Sequence, residues 1–73
     1  MPNTFKILLV NHGYYLEREF TELAEAIKHA RSTTFDCRID TETDMVCSIS
    51  FFGGVQIISE TYREEVNSIA AKA

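Results

Sequence analysis

Two cysteines and two histidines are the side chains of this sequence best suited to bind a metal or to attack a substrate. Cys37 and Cys47 fall on one face of a predicted hairpin, as a redox pair or half of a metal site would. A zinc site takes about four ligands, and neither His12 nor His29 has ligand-like spacing to the cysteines. Buried cysteine otherwise packs as a small apolar residue. We therefore expect both thiols in the core, with no metal or other cofactor.

Catalytic chemistry finds little support in the remaining polar residues. His12 precedes a glycine, which is typical of a turn, and no nucleophile with an orienting acid is suggested near it. Glu17 and Glu19 could act as the paired carboxylates of a glycosidase, but a domain of 73 residues has little room for a sugar-binding cleft. We expect a protein that is not an enzyme, and a small-ligand binder is disfavoured for the same reason.

Three carboxylates alternate at the predicted tip of the second hairpin: Asp40, Glu42 and Asp44. A calcium-binding loop would need a glycine where Met45 stands, together with a distal glutamate at fixed spacing. The pattern therefore predicts a solvated acidic tip that a basic partner could contact.

Length and charge restrict the partner further. The 73 residues suffice for one domain, spanning 1–73, and the formal net charge is −4. The seven lysines and arginines are scattered singly, whereas nucleic-acid binding needs a basic patch. An anionic membrane surface would repel the chain as well. We expect the partner to be another protein, and a basic or nucleic-acid-binding one.

Two features bear on the compartment. The longest apolar run, 7–10, is far shorter than a membrane span. The start of the sequence, 1–5, lacks the basic region and long apolar stretch of a secretory signal. We expect a cytoplasmic protein whose cysteines are free thiols.

The segment 14–20 permits two interpretations. As part of the following helix it offers apolar residues at helical spacing, namely Leu16, Phe20, Leu23 and Ile27. As a strand it would form a hairpin with the apolar run 5–11 across a two-residue turn at His12 and Gly13. The strand is favoured because this register opposes Phe5 to Phe20, Lys6 to Glu19 and Leu9 to Leu16.

Two helices are predicted. Thr21 would be the N-cap of the first, which ends near Arg31, and acidic residues at its start and basic residues at its end suit the helix dipole. Its buried stripe would be Leu23, Ala24, Ile27 and Ala30. Thr61 and Glu64 form a candidate capping box for the last helix. The apolar stripe of that helix would be Tyr62, Val66, Ile69, Ala70 and Ala73.

The second hairpin takes its predicted register from its apolar faces, since a slip by one residue would turn one strand inside out. The expected pairs are Ile39 with Met45, Cys37 with Cys47, and Phe35 with Ile49, joined by a loop with an odd number of residues. Phe51 would extend the apolar face, and a short strand, 55–58, would follow Gly53 and Gly54. The predicted fold class is α+β, an antiparallel sheet of four to five strands with one or two helices in the order β-β-α-β-β-(β)-α.

The first hairpin is predicted to be apolar on both faces. Leu8, Val10 and Tyr15 lie together on the face opposite the one that carries Phe5 and Phe20. Either the last helix covers this second face, or a partner protein or a second copy of the chain does. Phe52, beside two glycines, could join such a surface as an aromatic anchor.

These features favour a non-enzymatic, acidic protein-interaction domain. Small acidic chains without catalytic motifs are typical of the inhibitors and adaptors, often carried by phages and mobile elements, that cover a surface of a host protein. The Asp40, Glu42 and Asp44 tip, or Glu17 and Glu19, would face a basic groove normally filled by nucleic acid, with apolar contacts supplying much of the affinity. The alternative is a structural homodimer that pairs through the first hairpin or the last helix.

Overall fold

The computed structural model describes residues 4–72, which form a five-stranded antiparallel sheet and two α-helices. The strands are β1 (Phe5–Leu9), β2 (Tyr14–Phe20), β3 (Cys37–Asp40), β4 (Met45–Ile49) and β5 (Val55–Ile57). The helices are α1 (Leu23–Thr33) and α2 (Arg63–Lys72), and a 3-10 turn over Glu60–Tyr62 precedes α2. The strands lie in the order β2-β1-β3-β4-β5. The predicted fold class and element order are confirmed.

The first hairpin forms, and residues 14–20 are its second strand rather than part of a helix. Phe5 lies opposite Phe20, and Lys6 lies opposite Glu19, as the alternation predicts. Residues of opposite charge are therefore cross-strand neighbours at the open end of the hairpin.

Nearer its turn, the first hairpin departs from the predicted register. After an irregularity in β2, Leu8 pairs with Tyr15 and Leu9 with Tyr14. The predicted pairing of Leu9 with Leu16 is wrong, because the turn contains the four residues 10–13 rather than two. The amides of His12 and Gly13 both donate to the carbonyl of Leu9, at 3.0 and 2.8 Å. Gly13 takes a φ of 74°, a conformation that favours glycine.

The second hairpin contains a β-bulge that shifts its register. The observed pairs are Cys37 with Ile49, Arg38 with Ser48, Ile39 with Cys47, and Asp40 with Met45. Val46 is the extra residue of the bulge, and both Val46 and Cys47 are fully buried. The loop holds four residues, 41–44, since the bulge removes the need for an odd number. The three predicted pairs of this hairpin are therefore wrong.

The changed register moves two phenylalanines out of the core. Phe35 was expected opposite Ile49 and Phe51 on the same apolar face, but both fall outside the strands and are 49% and 61% exposed. Met45 was also expected to be buried and is 49% exposed. Near the start of β4, Val46 is the side chain that is buried instead of Met45.

Helix α1 packs on one face of the sheet. Its buried residues are Leu23, Ala26, Ile27 and Ala30, so that Ala26 replaces the predicted Ala24. The helix begins at Leu23 after the N-cap residue Glu22, which makes no side-chain cap hydrogen bond. The prediction of Thr21 as N-cap is therefore wrong by one residue. The apolar stripe, rather than a cap, positions this helix.

Helix α2 packs on the same face as α1. Val66 is buried in the core that α1 covers, and the ring of Tyr62 meets the ring of Phe5 edge to face at 5.9 Å. The prediction that this helix covers the opposite face is wrong. The Thr61–Glu64 capping box is wrong too, because Thr61 lies inside the 3-10 turn. Within residues 4–72, no element covers the other side of the sheet, which we call the outer face.

Thr34 ends α1 in the left-handed conformation, with φ 61° and ψ 19°. This region is costly for a β-branched residue and open to glycine. We predict that Thr34→Gly raises the free energy of unfolding by about 1 kcal/mol, measured by urea denaturation.

Ser32→Gly is the matched control, because Ser32 is exposed in the last turn of α1 at ordinary helical angles. Glycine there should lower the free energy of unfolding by about 0.5 kcal/mol. A Thr34→Gly variant less stable than the natural protein would show that the conformation is not strained.

Candidate functional site

An open groove of about 480 Å³ lies on the outer face, where β3 turns into β4. Its floor is formed by Arg38 and Asp40, and Tyr15 lies at one side. Met45 and Ile58 supply apolar walls and are 49% and 44% exposed. Two carboxylates, Glu42 and Asp44, stand on the loop at its rim. We call this set of residues the acidic groove.

The β4 bulge helps to shape the acidic groove. The carbonyl of Val46 accepts hydrogen bonds from the amides of Ile58 and Ser59, at 3.0 and 3.1 Å. These bonds hold the segment that follows β5 against β4. Ile58 is thereby fixed beside Met45, which the same bulge places on the outer face.

The floor of the groove is a hydrogen-bonded ion pair. Arg38 and Asp40 are two residues apart on β3, so their side chains share the outer face. The Nε and Nη2 atoms of Arg38 donate to the two carboxylate oxygens of Asp40, both at 2.8 Å. The hydroxyl of Tyr15 donates to Oδ2 of Asp40 at 2.5 Å. The Asp40 side chain is only 5% exposed, whereas that of Arg38 is 30% exposed.

These bonds fix the protonation of both donors. The hydrogen bond to Asp40 raises the pKa of the Tyr15 hydroxyl, so tyrosine remains a proton donor. The same carboxylate raises the pKa of the Arg38 guanidinium, which stays charged and is neutralised by its partner. Glu42 and Asp44 make no ion pair with any side chain in the part of the chain that the structure describes. The acidic groove is therefore negative because of these two loop carboxylates.

The structure brings together only some of the predicted partner-binding residues. Tyr15 meets Asp40, Glu42 and Asp44 at the acidic groove, although they were predicted as two separate surfaces. The expectation that Asp40 is part of a solvated tip is wrong, since its side chain is buried beneath Arg38 and Tyr15. The spacing of Arg38 and Asp40 on one strand could have indicated this pair.

The other predicted residues lie elsewhere. Leu8 is half-buried on β1 next to Tyr15, and Val10 is exposed in the first turn. Glu17 and Glu19 are exposed on the edge strand β2, where Glu19 accepts a hydrogen bond from the hydroxyl of Thr4 at 2.7 Å. Phe52 lies in the turn between β4 and β5 and is 75% exposed.

A second surface, at the opposite end of the strands, was not predicted as a unit. Three connections meet there: the turns 10–13 and 50–54 and the loop 34–36. We call it the aromatic end, and its side chains are Val10, His12, Tyr14, Phe35, Phe51 and Phe52. The signal for it in the sequence is that each connection contains or adjoins an aromatic residue beside turn-forming residues.

The cysteines lie apart from both surfaces. Cys37 and Cys47 are buried free thiols, and Cys47 pairs with Ile39 rather than with Cys37. Burial raises the pKa of the Cys47 thiol to about 12. Among residues 4–72, no three His, Cys, Asp or Glu side chains come together as a metal site requires. None of the helices in that range has the length and apolar character to span a membrane.

Comparison of the chain with protein-family models, curated proteins and solved structures finds no match. The groove and the aromatic end must therefore be interpreted from their own chemistry.

The Asp40 network should stabilise the fold. Asp40→Ala leaves the Arg38 guanidinium and the Tyr15 hydroxyl without their acceptor, so we predict a loss of about 2–3 kcal/mol in the free energy of unfolding. Tyr15→Phe removes one hydrogen bond and should cost about 1 kcal/mol. Both values are measured by urea denaturation.

Glu60→Ala is the control, because it removes the carboxylate of the exposed Arg63–Glu60 ion pair. Exposed pairs contribute little, so the stability should scarcely change. Equal losses of unfolding free energy for Asp40→Ala and Glu60→Ala would mean that the buried network stabilises the fold no more than an exposed ion pair does.

Burial of Cys47 predicts a loss of stability in alkali. Its thiol would ionise near 9.0 in the unfolded chain but near 12 in the folded one. The contribution of the buried, neutral thiol to the stability of the fold is complete below about pH 9 and is lost as the pH rises toward 12. Between about pH 8 and pH 10, the natural protein should lose about 1.4 kcal/mol more than Cys47→Ala, measured by urea denaturation with a reductant present. If the unfolding free energies of the natural protein and of Cys47→Ala change in parallel with pH, burial of the Cys47 thiol does not cause the loss of stability.

Proposed function

We propose that this chain is a non-enzymatic protein-interaction domain that binds a basic segment of a larger protein in the acidic groove. In this role it acts as an inhibitor or adaptor, of the kind that phages and mobile elements often carry. The observation that supports the proposal is the combination of apolar walls at Met45 and Ile58 with the two loop carboxylates of Glu42 and Asp44.

A lysine or arginine side chain from the partner fits this chemistry. Its aliphatic stem would lie against Met45 and Ile58, since long basic side chains bury their stems on apolar surfaces. Its charged head would reach Glu42 and Asp44 at the rim. The exposed ring of Tyr15 offers an additional cation–π contact. Because Asp40 already neutralises Arg38, the floor does not repel an incoming cation.

The charge of the whole chain favours the same partner. A net charge of −4, with Glu17 and Glu19 exposed on the edge of β2, attracts basic proteins over distance and speeds their association. A surface that normally binds nucleic acid is the most basic surface that many proteins offer, so we place the target there. The buried thiols of Cys37 and Cys47 suit a reducing compartment, and we assign the protein to the cytoplasm.

Dimerisation through the first hairpin or the last helix, the alternative function, is opposed by charge. A two-fold antiparallel pairing of β2 centred on Arg18 would set Glu17 of one copy against Glu19 of the other. A pairing centred on Glu17 would set that residue against itself. Helix α2 exposes Glu64 and Glu65 in its first turn. Like charges therefore disfavour a second copy in these pairings of β2.

Charge reversal in the groove should abolish partner binding. The immobilised protein captures its partner from a lysate of the native host, and mass spectrometry quantifies the amount retained. With Glu42→Lys and Asp44→Lys combined, the two carboxylates that hold the cation become repulsive. We predict a loss of at least about tenfold in the amount captured.

Glu64→Lys combined with Glu65→Lys is the matched control, because it makes the same change of net charge on α2. It should retain the partner nearly as well as the natural protein. The proposal fails if the groove variant still captures the partner, or if both variants lose it equally, which would indicate attraction to the net charge alone.

A further inference from the structure

The aromatic end exposes four large aromatic side chains. Tyr14, Phe35, Phe51 and Phe52 are 55%, 49%, 61% and 75% exposed. The rings lie in two groups. In the first, the ring centroids of His12 and Phe35 are 5.3 Å apart, and in the second, the rings of Phe51 and Phe52 pack edge to face with centroids 5.1 Å apart. Contiguous apolar patches on soluble proteins generally mark interaction surfaces.

Asp36 holds the two groups together. Its carboxylate accepts a hydrogen bond from the amide of Phe51 at 2.9 Å and one from the side-chain amide of Asn11 at 3.4 Å. Its backbone carbonyl accepts a hydrogen bond from the amide of Val10 at 3.0 Å. One residue thus links all three connections of the aromatic end. A surface organised in this way loses less conformational entropy when it binds.

The charge of the aromatic end excludes phosphate-bearing partners. The connections 10–13, 34–36 and 50–54 contain no lysine or arginine. Stacking of nucleic-acid bases on aromatic rings is normally accompanied by cations that hold the backbone, and anionic membranes require cations as well. The carboxylate of Asp36 is half-buried and occupied by its two donors. The complementary surface must therefore be apolar and uncharged.

We infer that this complementary surface is the aromatic end of a second copy, so that the chain forms a two-fold dimer. In such a dimer the same patch meets itself at the axis. An acidic patch would repel its own image, and the chain carries a net charge of −4. The aromatic end contains a single carboxylate, that of Asp36, which is half-buried and hydrogen-bonded, so two copies can meet there with less of that repulsion.

The exposed area suits a weak dimer. With about 200 Å² for a fully exposed aromatic side chain, the four rings correspond to roughly 500 Å² per copy, or about 1,000 Å² in all. That total lies at the lower limit for a specific interface, and we expect a dissociation constant between about 1 and 100 μM. The loop that carries Glu42 and Asp44 lies beyond the other end of β3, so a dimer leaves these carboxylates open in both copies. Each dimer then offers two binding sites to a partner.

Sedimentation analysis over a range of about 1 to 500 μM tests the dimer, since it brackets the expected dissociation constant. The natural protein should pass from monomer to dimer within that range. Phe51→Ser combined with Phe52→Ser, which alters only exposed side chains, should raise the dissociation constant at least about tenfold. Met45→Ser combined with Ile58→Ser is the matched control, because it removes two exposed apolar side chains at the other end and should change the constant less than about twofold.

A natural protein that stays monomeric to about 500 μM, or a Phe51 and Phe52 variant that dimerises as strongly, overturns the inference. Amide chemical shifts of the natural protein, followed on dilution by NMR, locate the interface independently of any variant. They should change at Tyr14 and at the three connections of the aromatic end, and changes confined to residues 15–20 of β2 or to α2 would refute it. The inference does not depend on the acidic groove, which the charge-reversal variants test separately.

Discussion

Burial of one face of the sheet under two short helices is the constraint on which this molecule depends. Ile7, Ile39 and Ile49 project from three neighbouring strands into the same layer, and Leu23 and Ile27 of α1 close over them. Each such side chain contributes roughly 1.5–3 kcal/mol when it leaves water. Both helices lie on that face because a domain of 73 residues has a thin core and few elements with which to cover it. The outer face is consequently open to other uses.

The polar network on the outer face is tied to this one-sided core. Asp40 can be buried only because Arg38 and Tyr15 satisfy its oxygens, and burial of an unpaired carboxylate would be costly. Tyr15 reaches it from β2 across β1, so the network braces three strands at once. The bulge at Val46 keeps the buried face continuous while it turns Met45 outward. The acidic groove thus results from the packing and hydrogen bonding within the sheet.

Alternation of apolar residues was enough to predict the first hairpin, the order of elements and the open end of the β1–β2 register. It could not reveal the bulge, because Met45, Cys47 and Ile49 alternate as a regular strand would, and Val46 is apolar too. The resulting error of register placed Phe35 in the core and concealed the aromatic end. Which face of the sheet α2 covers could not be predicted either. Its apolar stripe fits both faces of the first hairpin, and the position of the helix depends on which face has core residues left to bury.

The two ends of the strands differ in the kind of recognition that their chemistry permits. A surface whose charge is unbalanced, as Glu42 and Asp44 make the acidic groove, attracts its opposite and repels its own image, so it selects a different molecule. A mostly apolar surface such as the aromatic end gains from burial against an apolar surface of matching shape, and under two-fold symmetry its own copy is such a surface. The four residues of β3 separate the loop that carries Glu42 and Asp44 from the loop that carries Phe35. The proposed self-association and the proposed binding of a basic partner therefore use different ends of one small sheet.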